Sequence, residues 1–104
     1  MEINKQKLTE SIEYQDNSIV SKQIIKKPNG NVTLFAFDKG ESLAEHTSPY
    51  EALVQILEGK MVVTIGGQPY ILEEGDFILL PSDISHSLFA EEKSKMLLIM
   101  IKGG

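Results

Sequence analysis

Short apolar runs, broken at near-regular intervals by turn residues, are the dominant pattern along this chain. The run Ile19–Lys27 ends in Pro28-Asn29-Gly30-Asn31, where Pro presets φ and Gly accepts positive φ. Residues 32–38, rich in β-branched and aromatic side chains, stop at Lys39-Gly40. Residues 52–57 follow, closed by Glu58-Gly59, and residues 61–65 run into Gly66-Gly67. That Gly pair signals a hairpin, with residues 70–72 returning from it. Glu74-Gly75 introduces Phe77–Leu80, Pro81-Ser82-Asp83 terminates it, and residues 85–90 and 96–101 complete the series. The pattern predicts about eight or nine short strands with turns roughly every 8 to 12 residues, as in a sandwich or barrel. Only residues 6–14 could form a helix, with Leu8, Ile12 and Tyr14 on one side, and a loosely ordered arm fits them equally. The expected organisation is an all-β chain: residues 1–17 form an N-terminal arm, partly helical at most, and residues 18–104 form one antiparallel barrel.

At 104 residues the chain can bury one core but not two. Its hydrophobic fraction of 41% and charged fraction of 24% are those of an ordinary globular domain, which argues against wholesale disorder. The net charge of −5 comes from 15 acidic against 10 basic residues, and every basic one is lysine. An acidic chain without Arg lacks the forked donor suited to phosphate and guanine, and it repels a nucleic-acid backbone. No nucleic-acid partner is expected. Cysteine is absent, so disulfides, thiolate chemistry and cysteine-held metals are excluded. No apolar run approaches the roughly 20 residues that span a bilayer, and Met1 to Lys5 does not open a signal peptide. The expectation is therefore a cytoplasmic protein with no membrane partner.

Two histidines, His46 and His86, are the candidate chemistry. Only the fold could bring them together across the chain between them. Residues of one parity on a barrel strand face the interior. His46, Ser48, Tyr50, Ala52, Val54 and Ile56 share that parity, so the first four and His86 are the expected pocket residues. Met61, Met96 and Met100, with Phe35 and Phe37, could line an adaptable apolar cavity or simply pack the core. The Lys93, Lys95 and Glu91-Glu92 cluster reads as a solvated turn, and Lys26 and Lys27 as charges that blunt a sheet edge.

The spacing around both histidines resembles the cupin family. Its first motif is matched by Gly40, five residues, His46-Thr47-Ser48, three residues, Ala52, six residues and Gly59. Its second is matched by Gly75, five residues, Pro81-Ser82-Asp83, two residues, His86, three residues and Ala90. The resemblance covers about residues 32–101 and implies a small antiparallel jelly-roll barrel. In metal-binding cupins the ligands are two histidines and a glutamate of the first motif and the histidine of the second. Here Ser48 and Ala52 stand at two of those four positions, Asp83 replaces a turn glycine, and Ala90 replaces an asparagine. With His46 and His86 alone, only weak binding of a divalent transition metal is expected, and no tightly bound cofactor. Glu51 could become a third ligand if a bulge near Pro49 re-aimed it inward, and Tyr50 or Glu45 could contribute from the rim.

Several functions follow from the resemblance. One is a pocket for a small-molecule ligand with His46 and His86 as its polar groups. A second is a metal-dependent enzyme of dioxygenase or isomerase type, with both histidines as ligands. A third is metal-free acid–base catalysis by one histidine, with Asp83 beside it and Tyr50 opposite. A purely structural partner-binding role has no specific support. Small barrels of this type generally resemble one another in forming homodimers, and residues 18–27 are the candidate pairing strand.

Overall fold

The computed structural model describes residues 2–103; Met1 and Gly104, the outermost residues of the expected arm and barrel, lie outside the described residues. Among the described residues nine strands form: β1 (Ile19–Lys27), β2 (Gly30–Phe37), β3 (Ser42–His46), β4 (Glu51–Glu58), β5 (Lys60–Ile65), β6 (Gln68–Glu73), β7 (Phe77–Leu80), β8 (His86–Ala90) and β9 (Ser94–Ile101). They build a five-stranded sheet in the order β1-β2-β9-β4-β7 and a four-stranded sheet in the order β3-β8-β5-β6, with every pairing antiparallel. Chain neighbours such as β3 and β4 lie in different sheets, which is the connectivity of a jelly roll.

Period-2 alternation assigns the two faces of each strand. In β4, Ala52, Val54 and Ile56 are buried while Glu51 is exposed. From the five-stranded sheet Phe37, Val54, Ile56 and Met96 meet Met61, Val63, Leu72 and Leu88 of the four-stranded sheet in one core. Each such side chain contributes about 1.5–3 kcal/mol through its removal from water. Phe35 and Phe37 pack on each other here with ring centroids 6.0 Å apart.

Two local features go beyond the sequence reading. β3 was not among the expected strands, because Ser42–His46 carries polar residues at most positions. Residues 6–14 form only a single 3-10 turn at Leu8–Glu10. The arm beyond it lies flat on the outer face of the five-stranded sheet, where Ile12 joins Leu34, Ala36 and Leu97 in a second apolar cluster. Tyr14 fixes this segment: its hydroxyl donates to a Glu58 carboxylate oxygen at 2.6 Å, and the Lys95 ammonium lies 4.9 Å from its ring centre. Burial and the Glu58 carboxylate push the Tyr14 phenol well above its ordinary pKa of 10.0.

Candidate functional site

The two histidines meet because β3 and β8 are adjacent antiparallel strands whose register pairs His46 with His86. Directly opposed residues on one face of a sheet interact, and here the rings stand edge to face with centroids 4.3 Å apart. A register irregularity between Leu43 and His46 interrupts β3. Such an irregularity shifts parity by one, so that Leu43 and His46, an odd and an even position, both face inward. This irregularity lies inside β3, ahead of Pro49, and Glu51 stays exposed.

Behind the rings lies a cavity of about 150 Å³. His46, Ser48, Tyr50, Ala52 and His86 all line it, so the five expected pocket residues are brought together. Val54 continues the same face of β4, while Leu80, Leu88, Met96, Leu98 and Met100 supply the walls. Met96 and Met100 thus reach the cavity. Met61, Phe35 and Phe37 instead belong to the packed core around it. Alternation from His86 finds Leu88, and alternation between Met96 and Met100 finds Leu98. Leu43 carries no such signal, because the irregularity that turns it inward is not written in the residue types around it.

Polarity is concentrated at the mouth. His46 is exposed at the rim and His86 is buried, with 7% of its surface accessible. The two Nε2 atoms are 3.0 Å apart. His46 Nδ1 lies 2.8 Å from the Ala44 carbonyl oxygen, and His86 Nδ1 lies 3.3 Å from that of Ile84. Burial, and secondarily the charge of His46, hold the His86 pKa below its ordinary 6.5, with the Ile84 carbonyl opposing weakly. The segments just beyond the two ring-bearing strand ends are tied by a backbone bond: Asp83 N–H donates to the Ser48 carbonyl at 2.7 Å.

The remaining candidates stand apart. Glu51 is exposed, paired opposite Ile101, and does not line the cavity. Glu45 and Asp83 are exposed and also outside it. Among the described residues no group of three or more His, Cys, Asp or Glu side chains could hold a metal ion. A catalytic zinc site uses three protein ligands, and the iron facial triad two histidines and a carboxylate. The donor set here, two imidazoles beside Ser48 and Ala52, does not fit a tightly held metal. Among the described residues, no helix is long and apolar enough to cross a membrane.

Residues 33–102 match the family model described as the cupin domain. Among solved structures, the chain is similar to a conserved protein of unknown function from Streptococcus pyogenes, at 31% identity and TM-score 0.94 over 100% of this chain and 91% of that one. It is also similar to a cupin 2 conserved barrel domain protein from Leptotrichia buccalis, at 44% identity and TM-score 0.88. That likeness covers 90% of this chain but only 46% of the longer protein. A cupin superfamily protein from Desulfitobacterium hafniense is 29% identical with TM-score 0.84, over 86% of this chain and 83% of its own. No curated protein matches the chain.

Proposed function

The chain belongs to the cupin domain family, and from that premise we propose that it binds a small, largely apolar molecule in its barrel pocket, oriented by His46 and His86. The observation that carries this reading is the paired imidazoles at the head of a cavity of about 150 Å³ whose walls are Leu, Val, Met and Ala side chains. Small-molecule sites are typically apolar hollows with a few placed polar groups. Fold alone does not choose among activities, so the reading rests on these side chains.

Amide chemical-shift mapping with a library of small fragments tests it. Perturbations should cluster on Leu43, Ala52, Val54 and Leu98. A library that moves none of these amides overturns the proposal. The competing metal-dependent enzyme makes a different prediction: near-stoichiometric iron, manganese, nickel or zinc in purified protein, lost in His46→Ala and His86→Ala. For assembly, the proposal is a homodimer that uses β1. This strand lies at the edge of its sheet and, among the described residues, pairs with β2 alone, so one row of its backbone groups is open to pairing. A monomeric mass in solution overturns that part.

A further inference from the structure

Resting on the reading that the cavity takes a small molecule, we infer that Ala52 makes the room for it, and that the ligand is a single six-membered ring with a polar group at one end only. The room traces to one small side chain. Ala52 shares a face of its segment with Tyr50, which is partly exposed at the mouth, and with Val54, which is fully buried. Its cross-strand partners are Leu80 on β7 and Met100 on β9. All four of these neighbours line the cavity, and every other lining residue except Ser48 is valine-sized or larger. Small barrels fill their interiors with side chains, at the density of an organic crystal. A lone methyl group among four larger neighbours leaves a hollow instead.

The inner end of that hollow offers no polar partner. His46, Ser48, Tyr50 and His86 gather at the mouth, and the remaining lining residues are Leu, Val, Ala and Met. Backbone groups of β4 and β9 are no substitute, because each of these strands is paired on both sides. Among the described residues no buried side-chain nitrogen or oxygen lacks a hydrogen-bond partner either. A hydroxyl, amine or carboxylate carried to the inner end would give up water and gain nothing in return. Molecules that are polar all round, sugars among them, are therefore selected against. A polar group left at the mouth keeps its partners.

Size limits the rest of the ligand. A dry apolar cavity of similar volume, about 150 Å³, accommodates one benzene ring, so a single six-membered ring with a one-atom head is the scale that fits. para-Cresol and hydroquinone share that ring and are close in shape. The first has a hydroxyl at one end and a methyl group at the other, and the second has a hydroxyl at each end.

Isothermal titration of chelator-treated protein at pH 7.5 with these two probes, together with calorimetric Tm values, decides the matter. para-Cresol should bind at least about tenfold tighter than hydroquinone, the scale set by one hydroxyl buried without a partner. Ala52→Leu should weaken para-cresol at least about tenfold while keeping Tm within about 4 °C of the parent, because the added carbons enter a void. In a filled core the same change overpacks and lowers Tm by more than that. A smaller preference for para-cresol, a smaller loss in Ala52→Leu or a larger fall in Tm each overturns the inference and leaves the pocket reading standing. Ala52→Val adds less bulk and should weaken para-cresol at least about threefold if the leucine variant does not fold. If neither variant folds, there is no room at Ala52 and the inference fails. If neither probe binds the parent protein, the inference fails, and the fragment mapping decides separately whether the pocket reading fails with it.

Discussion

Asp83 has φ of +64°, in the left-handed region. It occupies the position at which the resembled motif carries glycine, so the replacement recognised in the sequence left the backbone conformation in place. Asp tolerates this region better than most residues because its short polar side chain can bond locally. Asp83→Gly is therefore expected to stay within about 0.5 kcal/mol of the parent, with lost strain offset by a freer unfolded chain. Asp83→Val, which is β-branched, should lose about 1–2 kcal/mol. Urea denaturation measures both, and a Val variant as stable as the Gly variant would refute the assignment. Gly59 is the stricter position. Its φ is +94°, and a Cβ there would run into the Lys93 carbonyl oxygen and Ser94. Gly59→Ala should cost about 3 kcal/mol or more, since backbone must move to admit one methyl group. Its place as a framing glycine was legible in the spacing. The reason for it, close approach of the β9 entry, was not, because Lys93 and Ser94 are distant in sequence.

At the scale of elements, legibility followed how local each signal is. Eight of the nine strands announce themselves through alternation and flanking turn residues. The ninth, β3, is held in place by its pairing with β8, and nothing in Ser42–His46 favours a strand by itself. The arm shows the same limit. Leu8, Ile12 and Tyr14 are compatible with a helical stripe, but tertiary contact decides: Ile12 is buried, whereas Leu8 is 38% exposed. Sequence alone could not show that the outer face of the five-stranded sheet presents Leu34, Ala36 and Leu97 for the arm to cover. Ile12→Ala should lose about 2–3 kcal/mol. That corresponds to a drop in Tm of roughly 8–20 °C for a domain of this size. A calorimetric Tm within about 2 °C of the parent would show instead that the arm is not docked in solution.

For the whole molecule, the groups whose titration is coupled to folding lie on both faces of the barrel and bound its stability from both sides. His86 is held neutral in the fold, with its pKa below the ordinary 6.5. The unfolded chain then binds the proton first, so this contribution is fully present above that value and is lost as pH falls. Tyr14 acts in the opposite direction. Its phenol stays protonated in the fold above the ordinary 10.0, so its contribution is present below that value and lost as pH rises through the alkaline range. Asp38 is lowered by N–H donors from Asn17 and Lys39. It is exposed and titrates below the imidazole window, so it adds only to the far acid limb. The expected profile of unfolding free energy is a plateau from about pH 7 to 9.5 with a separate shoulder at each end. The acid shoulder should begin near pH 6.5, no steeper than about 1.4 kcal/mol per pH unit, the limit for one proton. His86→Gln should flatten that shoulder while leaving the alkaline one. Tyr14→Phe should do the reverse, because it removes the ionisable oxygen but keeps the ring beneath Lys95. Denaturant titrations from pH 5.5 to 10.5 on the three proteins check both limbs. An unchanged acid shoulder in His86→Gln would mean that the buried ring is not what couples folding to protons near neutrality.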